Sequence, residues 1–175
     1  MATITRAQAR FLGNASGEAA ITKGGAEYPN IKETASQTYA AGSPVYKDSN
    51  GTIALAVATS NLVALIAGFA PLKATGTTGE PVFYRPLVPG DLLVVNLAGP
   101  TTTTTALTQA GDLINFDIFT GGLLVGNLDS AVDTNVAGIV EGLYTVAGGY
   151  PDGDVVGDTY GRLIVRIIET KGLQG

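Results

Sequence analysis

The chain contains no cysteine, no histidine and no tryptophan. Without cysteine there is no disulfide framework and no thiolate for catalysis or metal binding. Without histidine the commonest general base and the commonest metal ligand are missing. Charge is sparse as well: charged residues make up 14% of the sequence and aromatics 7%. A helical bundle needs more Glu, Lys and Arg on its outer faces than this composition supplies. Nucleic acid binding requires a basic stripe, and a net charge of −5 argues against one.

What the chain has in plenty is small and branched apolar residues, with 24 Gly and 8 Pro to punctuate them. A length of 175 residues suits one domain plus an arm, or two small lobes, and is enough to bury a core without staples. The first residues carry Arg6 and Arg10 but no apolar stretch, so no secretory signal is expected. From 49 to 72 there is no charged residue, and 53–70 is largely apolar, which is the length of a membrane helix. Thr59-Ser60-Asn61 in its middle, with Gly68 and Pro71 at its end, instead predict two buried strands joined by a polar turn, and no membrane span.

Residues 1–36 differ in style from the rest. They mix Gly, Ala, Thr and Asn with Arg6, Arg10, Glu18, Lys23, Glu27, Lys32 and Glu33. Neither a period of two nor one of 3.6 persists, and little apolar surface offsets the entropy of ordering. The segment reads either as a frayed terminus or as an extended arm that orders on a partner.

The body, 37–175, is a succession of short apolar runs between turn signals. Gly42-Ser43-Pro44-Val45-Tyr46 enters a strand, and Asn50-Gly51 supplies the positive φ angles of a tight hairpin. Strands are expected over 52–59, 62–69, 81–85, 92–97, 113–118, 123–125, 136–143 and 162–169. In the last, Leu163, Val165 and Ile167 face one way, Arg162 and Arg166 the other. Pro89-Gly90-Asp91 and Gly111-Asp112 are turn exits, and the threonine run at 101–105 is an exposed loop. Many short strands with Gly, Pro and Asn turns predict a mostly β chain, a small barrel or sandwich. Ala41-Gly42 and Ala110-Gly111 each open a strand–turn–strand unit. That echo reads either as two lobes divided near 99–106 or as turn chemistry used twice.

Charge is unevenly placed. From 86 to 161 there is no lysine or arginine, while Asp91, Asp112, Asp117, Asp129, Asp133, Glu141, Asp152, Asp154 and Asp158 fall there. The body is therefore acidic and the arm basic-leaning. Either this is ordinary solvated surface, or the arm docks elsewhere through Arg6, Arg10, Lys23 and Lys32 as polar anchors.

Sites for chemistry are few. No Ser stands in a Gly-x-Ser-x-Gly setting, and there is no Gly-x-x-x-x-Gly-Lys phosphate loop. Asp112 with Asp117 is the conceivable carboxylate pair, but acids at turn exits and on strand faces are commonplace. Asp152-Gly153-Asp154 with Asp158 is the candidate for a hard cation. It fails the EF-hand pattern, because Val156 stands where a third ligand belongs. The expectation is a structural or binding protein, not an enzyme, with no cofactor and no metal.

Four segments carry a resemblance: Ala41-Gly42-Ser43-Pro44-Val45-Tyr46, Ile66-Ala67-Gly68-Phe69-Ala70, Gly79-Glu80-Pro81-Val82 and Ala137-Gly138-Ile139-Val140. In their style and order they make residues 38–170 similar to the cement, or head decoration, proteins of tailed bacteriophages. The resemblance implies a small barrel or tulip-like β body with an extended N-terminal arm, forming a homotrimer on the outer surface of the capsid. It implies the major capsid protein as partner, with neighbouring capsid subunits bridged and no catalytic residues. The rival readings are a carbohydrate-binding or adhesin-type β module, for which Tyr144, Tyr150 and Tyr160 are available, and another virion component of tail or baseplate.

Overall fold

The computed structural model describes residues 9–14, 30–32, 38, 43–47, 52–56, 66–69, 81–83, 85–97, 110–119, 123–128, 138–144 and 158–168. Among them every regular element is a strand. In chain order these are β1 (Arg10–Asn14), β2 (Asn30–Lys32), β3 (Pro44–Lys47), β4 (Ile53–Leu55), β5 (Ile66–Phe69) and β6 (Pro81–Phe83). They continue with β7 (Arg85–Pro86), β8 (Asp91–Leu97), β9 (Leu113–Phe119), β10 (Leu123–Asn127), β11 (Gly138–Leu143) and β12 (Arg162–Ile167).

The centre of the molecule is a closed five-stranded barrel, β8-β10-β9-β11-β12, with β12 returning to β8. Closure follows from the way β8 uses its edges. Along one edge it pairs antiparallel with β12, from Arg166↔Leu92 to Arg162↔Asn96. The other edge is shared. Antiparallel β1 lies beside its first half, from Asn14↔Asp91 to Arg10↔Val94, and parallel β10 meets its end at Val125↔Asn96 and Gly126↔Leu97. The sixth strand thus satisfies backbone groups that β10 leaves unpaired, so the edge of β8 is not exposed for pairing with another chain.

Alternation decides which side chains fill the barrel. Leu93, Val95 and Leu97 of β8, Ile114, Phe116 and Ile118 of β9, and Leu163, Val165 and Ile167 of β12 are all buried in one core. The expected facing of 162–167 is observed. A five-stranded barrel is narrow, which explains the shortage of aromatics. Phe116 is the one fully buried aromatic among the described core residues, and it stands in register with Gly126. A Cβ at Gly126 would lie 2.5 Å from Ile114 Cδ1, so small faces large across the interior.

Strands before the barrel form a second sheet, β4-β3-β5-β7, and a two-stranded pair, β2-β6. Both β4 and β5 pair with β3, so the apolar run 53–70 holds two strands, as its polar centre predicts. Ala56 and Leu87 are buried in the same core as the barrel residues, and Tyr46 packs against it. The barrel itself takes strands from both sides of 99–106.

Two differences from the sequence reading concern residues 1–36. That segment shows no persistent period, yet it contributes β1 and β2. The physical reason is visible in β1: the register shifts between Phe11 and Gly13. Leu12 is the extra residue of this bulge, and a bulge breaks the period-two pattern by which a strand is recognised. Phe11 packs against the core, while Leu12 is exposed.

Candidate partner-binding surface

One end of the barrel is fixed by the corner 85–91. Pro89 and Gly90 occupy the middle of a turn in which the Asp91 N–H donates to the Val88 carbonyl at 3.0 Å. Gly90 has a φ of 91°, which only glycine adopts without strain, and proline before it presets the turn. Asp91 is 1% exposed. Its Oδ2 accepts the Val88 N–H at 3.0 Å and lies 3.4 Å from both Nη1 and Nη2 of Arg85. The Arg85 guanidinium in turn sits over the Phe11 ring at 3.3 Å. This cluster joins β1, β7 and β8, and the Gly90 N–H donates to the Ile167 carbonyl at 2.8 Å, adding β12. A buried carboxylate is tolerated there because it is paired and hydrogen-bonded.

The outer wall of β1, β8, β12 and β11 carries the residues that face away from the core. Arg10 and Ile164 both stand in register with Val94. Leu92 and Ile139 both stand in register with Arg166. Tyr144 follows β11 and its N–H donates to the Arg162 carbonyl at 2.8 Å. Around its ring lie two guanidinium groups, Arg10 at 5.2 Å and Arg162 at 5.0 Å from the centroid, and Arg10 Nη2 also donates to the Tyr144 hydroxyl. Arg166 pairs with Glu141, the residue added by the bulge in β11. The Asn96 side chain donates to the Tyr160 carbonyl at 2.7 Å, holding Tyr160 at a φ of 58°, which is strained for a bulky side chain. The result is a half-buried aliphatic patch, Leu92, Ile139 and Ile164 beside the buried Val94, with Arg166 set between Leu92 and Ile139 and with Arg10, Arg162 and a tyrosine at its end. Tyrosine and arginine beside an apolar centre are the residue types that protein interfaces favour.

The four anchor residues expected from sequence are not brought together by the described structure. Arg10 is on the barrel wall and bonded to Tyr144. Lys32 is in β2, in register with Pro81. Arg6 and Lys23 lie outside the described residues. Sequence reasoning missed Tyr144 as the residue that gathers Arg10 and Arg162, although the alternation in β12 already placed Arg162 and Arg166 on the outer face. Asp112 and Asp117 stand at opposite ends of an extended segment, about 16 Å apart at the usual rise per residue, too far for two-carboxylate hydrolysis. Of the acidic turn, Asp152 and Asp154 lie outside the described residues. Asp158 is buried and has an interaction partner within the protein.

The comparisons decide nothing further. No family model, no curated protein and no solved structure matches the chain. The function therefore rests on the residues themselves and on the four resemblance-bearing segments. Within those segments lie most of β3, all of β5, the start of β6 and the start of β11.

Proposed function

We propose that this protein is a non-enzymatic structural protein that binds the outside of a tailed-phage capsid and cements neighbouring major capsid subunits, acting as a homotrimer. The observation that carries this reading is the outer barrel wall, where Arg10, Arg162 and Tyr144 stand at the end of a half-buried aliphatic patch. A wall of this kind suits a broad protein contact. Cementing a shell needs a stable body and many modest contacts multiplied by symmetry. The style and order of the segments at 41–46, 66–70, 79–82 and 137–140 point the same way. The carbohydrate-binding reading is less favoured, because the Tyr144 ring is already flanked by two guanidinium groups instead of presenting an open stacking platform.

The test is to mix the purified protein with undecorated particles assembled from the major capsid protein of the same virus, and to image them. Saturating, symmetric density on the outer surface is expected. Absence of binding to such particles, or localisation to tails, overturns the proposal.

A further inference from the structure

We infer that β1 is a latched strap: it leaves the wall as a unit while the barrel stays closed, and the Arg85 guanidinium over Phe11 is its latch. Closure does not need β1. Strand β8 meets β12 from Arg166↔Leu92 to Arg162↔Asn96, and β10 at Asn96 and Leu97. On the edge that faces β10, β1 covers only Asp91 to Val94. Among the described residues β1 pairs with β8 alone. Its ladder is broken by the register shift between Phe11 and Gly13. Leu12 is 41% exposed and Gly13 brings no side chain, so both bury little. What holds β1 besides the ladder is Ala9 and Phe11 against the core and Arg10 on Tyr144. A segment with one ladder and few buried side chains opens at a lower cost than the whole fold.

The latch comes from the other sheet. Arg85 lies in β7, in register with Phe69 of β5. Its guanidinium is pinned by the buried Asp91, 3.4 Å away, and lies 3.3 Å from the centre of the Phe11 ring. For β1 to leave, Phe11 must slide from beneath this cation. Neither Arg85 nor Asp91 is on β1, so their pair stays made in the open state. Opening therefore costs the stacking on Phe11 and not an unpaired buried charge. It uncovers backbone groups of β8. The Leu97 N–H donates to the Gly161 carbonyl at 2.8 Å. By alternation from there, the amides of Leu93 and Val95 point to β12 and those of Leu92 and Val94 to β1. An unpaired row of such groups is a template for another strand, so the latch sets when the wall can be paired from outside.

The experiment is native-state hydrogen exchange of the full-length protein, read amide by amide by nuclear magnetic resonance. Leu92 and Val94 are expected to be protected about tenfold less, or lower still, than Leu93 and Val95 on the same strand. Two variants separate a local opening from global unfolding. Ile114→Val weakens the core of β9, which stays folded when β1 opens. It should speed Leu93 and Val95 by about threefold or more and leave Leu92 and Val94 unchanged. Phe11→Leu keeps an aliphatic side chain but removes the ring that Arg85 covers, and should speed Leu92 and Val94 by about threefold or more. Phe11→Tyr keeps the ring and should behave as the wild type. Should Phe11→Leu lose the β fold by circular dichroism, Arg85→Lys replaces it, keeping a cation beside Asp91 without the planar stack. Equal protection of the two sets of amides overturns the inference, as does Ile114→Val speeding all four alike. Unchanged exchange at Leu92 and Val94 in Phe11→Leu, or in Arg85→Lys where it stands in, overturns Arg85 as the latch.

Discussion

At the scale of single residues, two positions hold more than their share of the fold. Asp91 is a buried acid that caps its own turn and faces Arg85. Removing one partner of a buried pair leaves the other charge desolvated, at a cost of about 3 kcal/mol. Asp91→Ala is therefore expected to lower the free energy of unfolding by that amount, read as a lower urea midpoint at an unchanged slope. Asp91→Asn keeps an acceptor for the Val88 N–H and should lose less. Gly138 is the second position. A Cβ there would lie 2.6 Å from Val165 Cγ1 and 2.8 Å from the Arg166 carbonyl oxygen. A carbonyl in a paired strand has no room to retreat, so Gly138→Ala should destabilise by about 1–3 kcal/mol, the range of overpacking. The same denaturation series checks it, and an unaltered midpoint would contradict the close approach.

At the scale of elements, β1 changes the meaning of the N-terminal segment. From sequence, residues 1–36 read either as a frayed terminus or as an extended arm that orders on a partner. In the structure β1 lines β8 from Asp91 to Val94, and Phe11 packs on the core beneath Arg85. Deleting residues 1–36 removes both a strand and an aromatic. Burying a large aromatic contributes about 1.5–3 kcal/mol, and the bare edge of β8 would invite pairing with other chains. The expected outcome is a fall in Tm of several degrees and a tendency to aggregate, measured by calorimetry and light scattering. A truncated protein with the full-length Tm would show that β1 adds nothing to the barrel. Attachment to particles should be compared only after this measurement, so that lost binding is not mistaken for lost grip.

At the scale of the whole molecule, almost every pairing that closes the barrel joins distant parts of the chain. Leu93 meets Phe11 on one side and Val165 on the other. Such non-local contacts require long loops to close before they are rewarded, which slows folding to about milliseconds to seconds. Stopped-flow refolding should show this range. Tyrosine emission or far-ultraviolet dichroism must report it, since the chain has no tryptophan. Completion within tens of microseconds would be incompatible with a barrel closed in this way.

The sequence by itself determined the class of the molecule and much of its core. The alternation in 162–167 assigned both strand type and inward face, because a strand's period of two is a local property, and 113–118 was legible as a strand. The Pro89-Gly90 turn was legible for the same reason, its backbone angles being set by those residues. The missing histidine and cysteine removed the commonest chemistry before any fold was known. Tertiary structure alone decided the rest. It made β1 a wall strand, since the bulge at Leu12 erases the local pattern. It gave β8 two neighbours on one edge, because pairing depends on how the barrel closes and not on composition. It also gathered Arg10, Tyr144 and Arg162 at one surface, although Arg10 and Tyr144 are 134 residues apart. No local period encodes a meeting between such distant residues; only closure of the barrel brings them together.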